Sequence, residues 1–236
     1  MDAAVAALAA GRCDLGAFAS GRQAPEVRLR FEGPPEQAVA GAGALGPGGV
    51  SVGAYRVEGD EVRVWIPDDP WLAEAALRLA MSVAFERQGG LLLHAAGIAF
   101  AGGAGAWLAV GASGRGKSTL AQYCSDAGAE VLSDETVGWL PDGTLWATPF
   151  RSTARFTRSR PLEPRPFSVL AFLEHGEAER LEAMGEAEAV RQVLSQTYRV
   201  PGAPVLHRAA TLVAQRGAQR FWFRNDPGVA AFVGRS

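Results

Sequence analysis

Lysine is almost absent from this chain. The 236 residues carry 23 Lys plus Arg, and Lys117 alone among them is lysine. Cysteine is scarce as well, with only Cys13 and Cys124, which argues against a secreted disulfide scaffold and favours a reducing, cytoplasmic setting. Three histidines, His94, His175 and His207, stand far apart, so no metal cluster or Ser–His–Asp arrangement is visible. Basic charge is not in excess: the formal net charge is −2, which speaks against a nucleic-acid partner. The start, Met1-Asp2-Ala3-Ala4, lacks the positive region of a signal peptide. Residues 88–114 hold no Asp, Glu, Lys or Arg, a stretch long enough to span a bilayer. Repeated glycine and His94 break it into short apolar runs, which read as two buried strands, 91–100 and 107–110, so no membrane span is expected.

What the chain does contain is core material. It is 48% hydrophobic and 20% charged, enough for a sizeable core and too apolar for disorder. The length fits one large domain, or one domain with a small neighbour. Residues 1–86 read as a small β-rich unit ending in a helix. Val27-Arg28-Leu29-Arg30-Phe31 alternates with period two, and segments 55–58 and 61–66 flank Gly59-Asp60 as a hairpin. Asp68-Asp69-Pro70 marks a helix start, and Leu72, Ala76, Leu79 and Val83 follow at helical spacing as a packing stripe. Residues 87–236 change character to an α/β pattern. Segment 168–173 reads as a buried strand and 209–214 as a helix. Segment 186–198 reads as an amphipathic helix through Ala187, Val190, Leu194 and Thr197, and 221–223 as an edge or terminal strand.

One motif carries chemistry. Gly111-Ala112-Ser113-Gly114-Arg115-Gly116-Lys117-Ser118, followed by Thr119, fits G-x-x-x-x-G-K-[ST]. An apolar strand leads in, and a helix leads out with Leu120, Ala121 and Cys124 inward and Gly128 at its end. Glycines let the backbone fold tightly so that its N–H groups converge on phosphate oxygens, and the helix N-terminus adds positive potential. Lys117 supplies a compact charge for the β- and γ-phosphates, and the Ser118 hydroxyl suits Mg²⁺. The rival reading is a chance turn in a glycine-rich chain, but the one lysine among 23 basic residues stands at the required position.

After the loop, strand 130–133 ends in Asp134-Glu135. A carboxylate there either holds Mg²⁺ or belongs to a solvated turn. His94, after three leucines, is either a structural core histidine or a site residue. Arg151, Arg155, Arg158, Arg160 and Arg165 form either a solvated loop or a basic patch that receives an acceptor.

Together, Leu93-His94-Ala95, the loop 111–119 and Val131-Leu132-Ser133-Asp134-Glu135 resemble the HPr kinase/phosphorylase catalytic domain and its smaller HPr-kinase-like relatives. The resemblance covers about residues 84–233. It implies an α/β P-loop fold of the HPr-kinase/PEP-carboxykinase-like type behind the small β-rich N-terminal unit, and ATP-dependent serine phosphorylation. Carried over by position, residues 111–119 would bind ATP, with Lys117 on phosphate. Ser118 and Asp134 would hold Mg²⁺, and His94 would line the γ-phosphate pocket. Glu135 falls where the family places a second Asp as general base. That longer side chain puts turnover, more than ATP binding, in question. No counterpart of the family's Glu-containing metal segment or Arg-rich phosphorolysis signature is found, so neither phosphorylase activity nor HPr itself is expected.

The expected function is therefore a kinase acting on a hydroxyl, a Ser of a protein or peptide. A catalytically impaired ATP-binding regulator or scaffold, and a small-metabolite kinase, stand as alternatives. The acceptor's identity and homo-oligomerisation stay open.

Overall fold

The computed structural model describes residues 28–32, 47, 54–58, 61–65, 70–150, 163–199 and 204–235. These residues form a mixed α/β structure with two sheets and five helices. No helix among them is long and apolar enough to cross a membrane.

The smaller sheet has three strands. β1 (Arg28–Glu32) runs parallel to β3 (Glu61–Trp65), and β2 (Ala54–Glu58) pairs antiparallel with β3. Val62 and Val64 are buried while Arg63 between them is not, the period-two pattern of a strand with one covered face. What covers it is α1 (Pro70–Arg87), whose Ala76, Leu79 and Val83 are buried as the helical spacing predicts. One apolar cluster joins Val62, Val64 and this helix to Leu92, Leu140 and Tyr198 of the larger sheet. The Asp68-Asp69 helix start lies outside the described residues.

The larger sheet has ten strands in the order β12-β4-β8-β9-β10-β6-β5-β7, with β13 beside β10 and β11 beside β13. In chain order these are β4 (Leu91–Leu93), β5 (Ala95–Ala99), β6 (Ala106–Val110), β7 (Glu130–Ser133), β8 (Val137–Leu140), β9 (Thr144–Trp146), β10 (Arg165–His175), β11 (Arg180–Ala183), β12 (Thr197–Tyr198) and β13 (Gln219–Phe223). Four helices accompany them: α2 (Lys117–Asp126), α3 (Glu186–Ser195), α4 (Val205–Arg216) and α5 (Val229–Val233).

Both faces of the central strands are covered. Ala106, Leu108, Val110, Leu170 and Phe172 pack with Ala189 and Val193 of α3 and Ala209, Leu212 and Val213 of α4. The alternate residues Trp107, Ala109, Val169, Ala171 and Leu173 pack with Leu120, Ala121 and Cys124 of α2 and with α5. Burial on both faces is why these strands read as continuous apolar runs rather than alternating ones.

The structure corrects three sequence expectations. Segment 91–100 is not one strand. β4 pairs with β8 and β12, β5 pairs with β6 and β7, and the chain bends at His94 between them. The helix expected over 186–198 ends at Ser195. Gln196 caps it, and Thr197 and Tyr198, β-branched and aromatic, pair with Leu93 and Leu92 instead. Its buried stripe is Ala189 and Val193, while Ala187 is exposed. Finally, of the two placements expected for segment 221–223, β13 is the last strand in chain order but not an edge, because β11 covers its outer side. The β8–β9 hairpin, β11 and α5 were not anticipated.

Helix α1 meets the larger sheet tightly at Gly138 of β8. A Cβ there would run into the Phe85 ring of α1. Gly138→Ala is expected to destabilise the fold by about 1–3 kcal/mol through overpacking. A denaturant midpoint equal to the parent's would show that the helix does not sit on this strand as described.

Candidate functional site

Strand directions bring the predicted site residues to one edge of the large sheet. β5 lies between β6 and β7 and is antiparallel to both, so β6 and β7 run the same way and end at the same edge of the sheet. β10 and β13 are parallel to β6. The loop after Val110, the pair after Ser133, and Glu174, His175 and Phe223 therefore all lie at the carboxyl ends of co-directional strands. Ligands of open α/β sheets bind in such places. β5 starts at this edge, which brings His94 there too.

The phosphate-type loop spans residues 111–116 between β6 and α2. Its crest, residues 112–115, is exposed. Gly114 has φ 83° and Gly116 φ 88°, the left-handed region that glycine occupies without penalty. Gly116 is doubly constrained, since a Cβ would lie 2.8 Å from Phe223 Cζ. Phe223 thus seats the loop from below. Arg115 turns outward to Glu174 at 2.6 Å, and His175 Nε2 lies 3.3 Å from Gly114 O. Lys117, Ser118 and Thr119 form the first turn of α2, the end of the helix at which its dipole favours an anion.

Lys117 is buried at the foot of the loop, 6% exposed. Its Nζ donates to Gly111 O at 2.7 Å and to Ala112 O at 3.1 Å. Burial lowers its pKa from 10.5 to about 8, against the raising fields of Glu135 and then Asp134. The lysine and the acidic pair therefore share one electrostatic neighbourhood.

Ser133 presents that pair. Its hydroxyl accepts from the N–H groups of Glu135 and Thr136, at 3.1 and 3.0 Å, and donates to Phe150 O at 2.7 Å. A serine turn thus ends β7 and fixes the two acids beyond it. Asp134 is fully buried. Glu135 is partly exposed; its Oε2 lies 3.7 Å from His94 Nε2, a charge contact longer than a hydrogen bond, and its Oε1 lies 3.4 Å from Arg78 Nη2. Burial works against this carboxylate, but His94, Arg78 and Lys117 outweigh it and hold its pKa below the usual 4.5. The other ring nitrogen of His94, Nδ1, lies 3.2 Å from Gln196 Oε1.

The structure thus brings together Lys117, Asp134, Glu135 and His94 beside the loop. Arg115 is turned away from this group. Arg165 pairs with Glu130 at 2.6 Å, while Arg151, Arg155, Arg158 and Arg160 lie outside the described residues. Sequence reasoning missed Arg78, Gln196, Ser133 and Phe223. Arg78 was hidden in a helix read for its apolar stripe, and Gln196 in a segment read as helix.

Among the described residues no three His, Cys, Asp or Glu side chains form a metal-holding group. One hydroxyl, Ser118, and one carboxylate, Asp134, suit Mg²⁺ held largely through a substrate's phosphates, which is how that ion usually binds. No protein-family model and no curated protein sequence matches this chain.

Lys117 sets a pH dependence. An unfolded lysine keeps its proton to about 10.5, whereas the folded one releases it near 8. Between those values the unfolded chain binds more protons, so stability rises with pH, by at most about 1.4 kcal/mol per pH unit. Below about pH 9 the buried Cys124 thiol, raised from 9.0 to about 12, adds little opposing slope. Urea melts from about pH 7 to 9 should show the gain in the parent and not in Lys117→Met. Equal slopes in the two proteins would contradict a buried, charged ammonium.

Proposed function

We propose that this chain is an ATP-dependent kinase of the HPr-kinase-like type. It would transfer the γ-phosphoryl group to a hydroxyl, a serine of a protein or peptide. The observation that carries this reading is the placement of the only lysine. It is buried under a glycine loop, at the N-terminus of a helix, in the field of a tandem acidic pair. Loop, lysine, acids and His94 also share one sheet edge.

In this reading the amides of residues 111–118 and the Lys117 ammonium meet the phosphate tail of ATP. Ser118 and Asp134 would hold Mg²⁺, which neutralises charge on the phosphates when bound. His94, at the start of β5, would line the γ-phosphate pocket. Glu135 takes the proton from the acceptor hydroxyl as its oxygen bonds to the γ-phosphorus and ADP leaves. Preorganised charge does most of the work, and the base adds to it.

A second reading has its own support. Both Glu135 oxygens face a cationic or basic group, and the carboxyl is held in a weakly basic state. A nucleotide-binding regulator without turnover would tolerate such a residue.

Incubation with γ-labelled ATP and Mg²⁺, with peptides and small alcohols as acceptors, separates the readings. The kinase reading expects label on a serine side chain. Lys117→Ala should weaken ATP binding at least about tenfold. Glu135→Gln should keep binding and lose about a hundredfold or more in transfer. Binding without transfer in the parent supports the regulator, and label on a free small molecule supports a metabolite kinase. Unchanged ATP affinity in Lys117→Ala removes the basis for all three.

A further inference from the structure

A group beside Glu135 that no sequence motif announced is Arg78. It stands on α1, 57 residues before Glu135, on the helix that covers the small sheet. Its side chain is only 9% exposed, unusual for arginine unless paired. One nitrogen, Nη2, faces two carboxylates at once: Glu74 Oε1 at 2.7 Å, one helical turn back, and Glu135 Oε1 at 3.4 Å. The guanidinium lies over the Phe150 ring, 4.7 Å from its centroid, and 5.6 Å from that of Tyr198. Its Nε has no partner among the described residues.

These contacts divide into a mount and a working end. Glu74, Phe150 and Tyr198 grip the guanidinium by charge and by two aromatic faces, so its position is set without Glu135. Phe150 O also accepts from Ser133 Oγ, the same hydroxyl that fixes the turn carrying Glu135. The cation and the acid are therefore referred to one frame. The contact to Glu135 is the longer of the two ion pairs, which orients one oxygen without occupying the carboxylate fully. An arginine does not take up or release a proton in the working pH range, so it cannot divert the acceptor's proton as the neighbouring imidazole could.

We propose that Arg78 is a positioning residue: delivered by α1, it aims the Glu135 carboxylate at the acceptor site, so the helix of the N-terminal unit completes the machinery for transfer. The role assigned to Glu135 rests on the kinase reading above, whereas the coupling between Arg78 and Glu135 does not. Among the described residues the ion pairs of Arg78 are with Glu74 and Glu135 and not with Lys117, so nucleotide binding should depend on it only weakly.

The test is a double-mutant cycle in the full chain: parent, Arg78→Met, Glu135→Gln and the double variant, with Arg78→Lys as the conservative change. Three readouts are taken: thermal midpoint without nucleotide, affinity for MgATP, and release of labelled phosphate from MgATP. Arg78→Met should lower the midpoint by roughly 10 °C, because a buried pair is broken. Glu135→Gln in that background should recover part of the loss. MgATP affinity should stay within about threefold, while turnover falls at least about tenfold and falls no further when Glu135 is already Gln. Arg78→Lys should restore part of the turnover.

Losses that simply add, in midpoint and in turnover, would reduce Arg78 to a packing residue and overturn the proposal. Should Arg78→Met not fold, Arg78→Lys decides. Reduced turnover at unchanged affinity, absent in the Glu135→Gln background, supports the proposal, and parent-like turnover overturns it. If the parent binds MgATP but releases no labelled phosphate, transfer to the acceptors named above judges the kinase reading, and the thermal cycle alone still judges the Arg78–Glu135 coupling.

Discussion

The arrangement depends on an ammonium group held out of water. Removing such a charge from solvent costs several kcal/mol unless other groups replace the lost hydration. Lys117 finds replacements in the carbonyls of Gly111 and Ala112 and in the fields of Glu135 and Asp134. Each replacement constrains the fold. The carbonyls must turn inward at the end of β6, which requires a tight loop. The acids must arrive from β7, one strand beyond β5, which requires β6 and β7 to end at the same edge. The compensation stays incomplete, and the pKa settles near 8. At neutral pH the group is still largely charged, and an incoming anion would relieve it.

Around this cation, charges alternate in sign across the site. Glu74 faces Arg78, Arg78 faces Glu135, and Glu135 lies in the fields of His94 and Lys117, while Asp134 adds to the field at Lys117. In a low-dielectric setting each member makes the next cheaper to bury, and removing one exposes its neighbour to the full desolvation penalty. Arginine at position 78 fits this series because a flat guanidinium lies against Phe150 and Tyr198 where a hydrated ammonium would not.

How much of this the sequence revealed depends on distance along the chain. The loop was legible because strand, glycines, lysine and helix occupy one stretch of about twenty residues, each required by local geometry. The Asp134-Glu135 pair and His94 were legible as an order of motifs, though nothing in the sequence fixed their distances. The break at His94 was not legible. Leu91 to Ala99 is apolar apart from His94, and the strand divides there because its two halves take different partners. The end of α3 was missed for a related reason: Thr197 continues the helical spacing, but pairing with Leu93 claims it for the sheet. Arg78 had no signal at all, since an arginine between apolar helix positions reads as a solvent-facing residue. Its burial is a property of what α1 packs against.

The two halves of the site are held by different cores. Phe223 supports the loop from beneath Gly116, within the cluster that contains α2 and α5. The Glu135 side is held by Arg78, Ser133 and Phe150, next to the cluster that joins α1 to the small sheet and to Tyr198. A displacement of α1 would therefore move the Glu135 carboxylate and leave the loop where it is. In the kinase reading, anion binding and proton acceptance would be mechanically separable, joined chiefly by electrostatics, through the field between Lys117 and the acidic pair. On that reading the N-terminal helix would have leverage over the Glu135 carboxylate, through Arg78, and not over the loop.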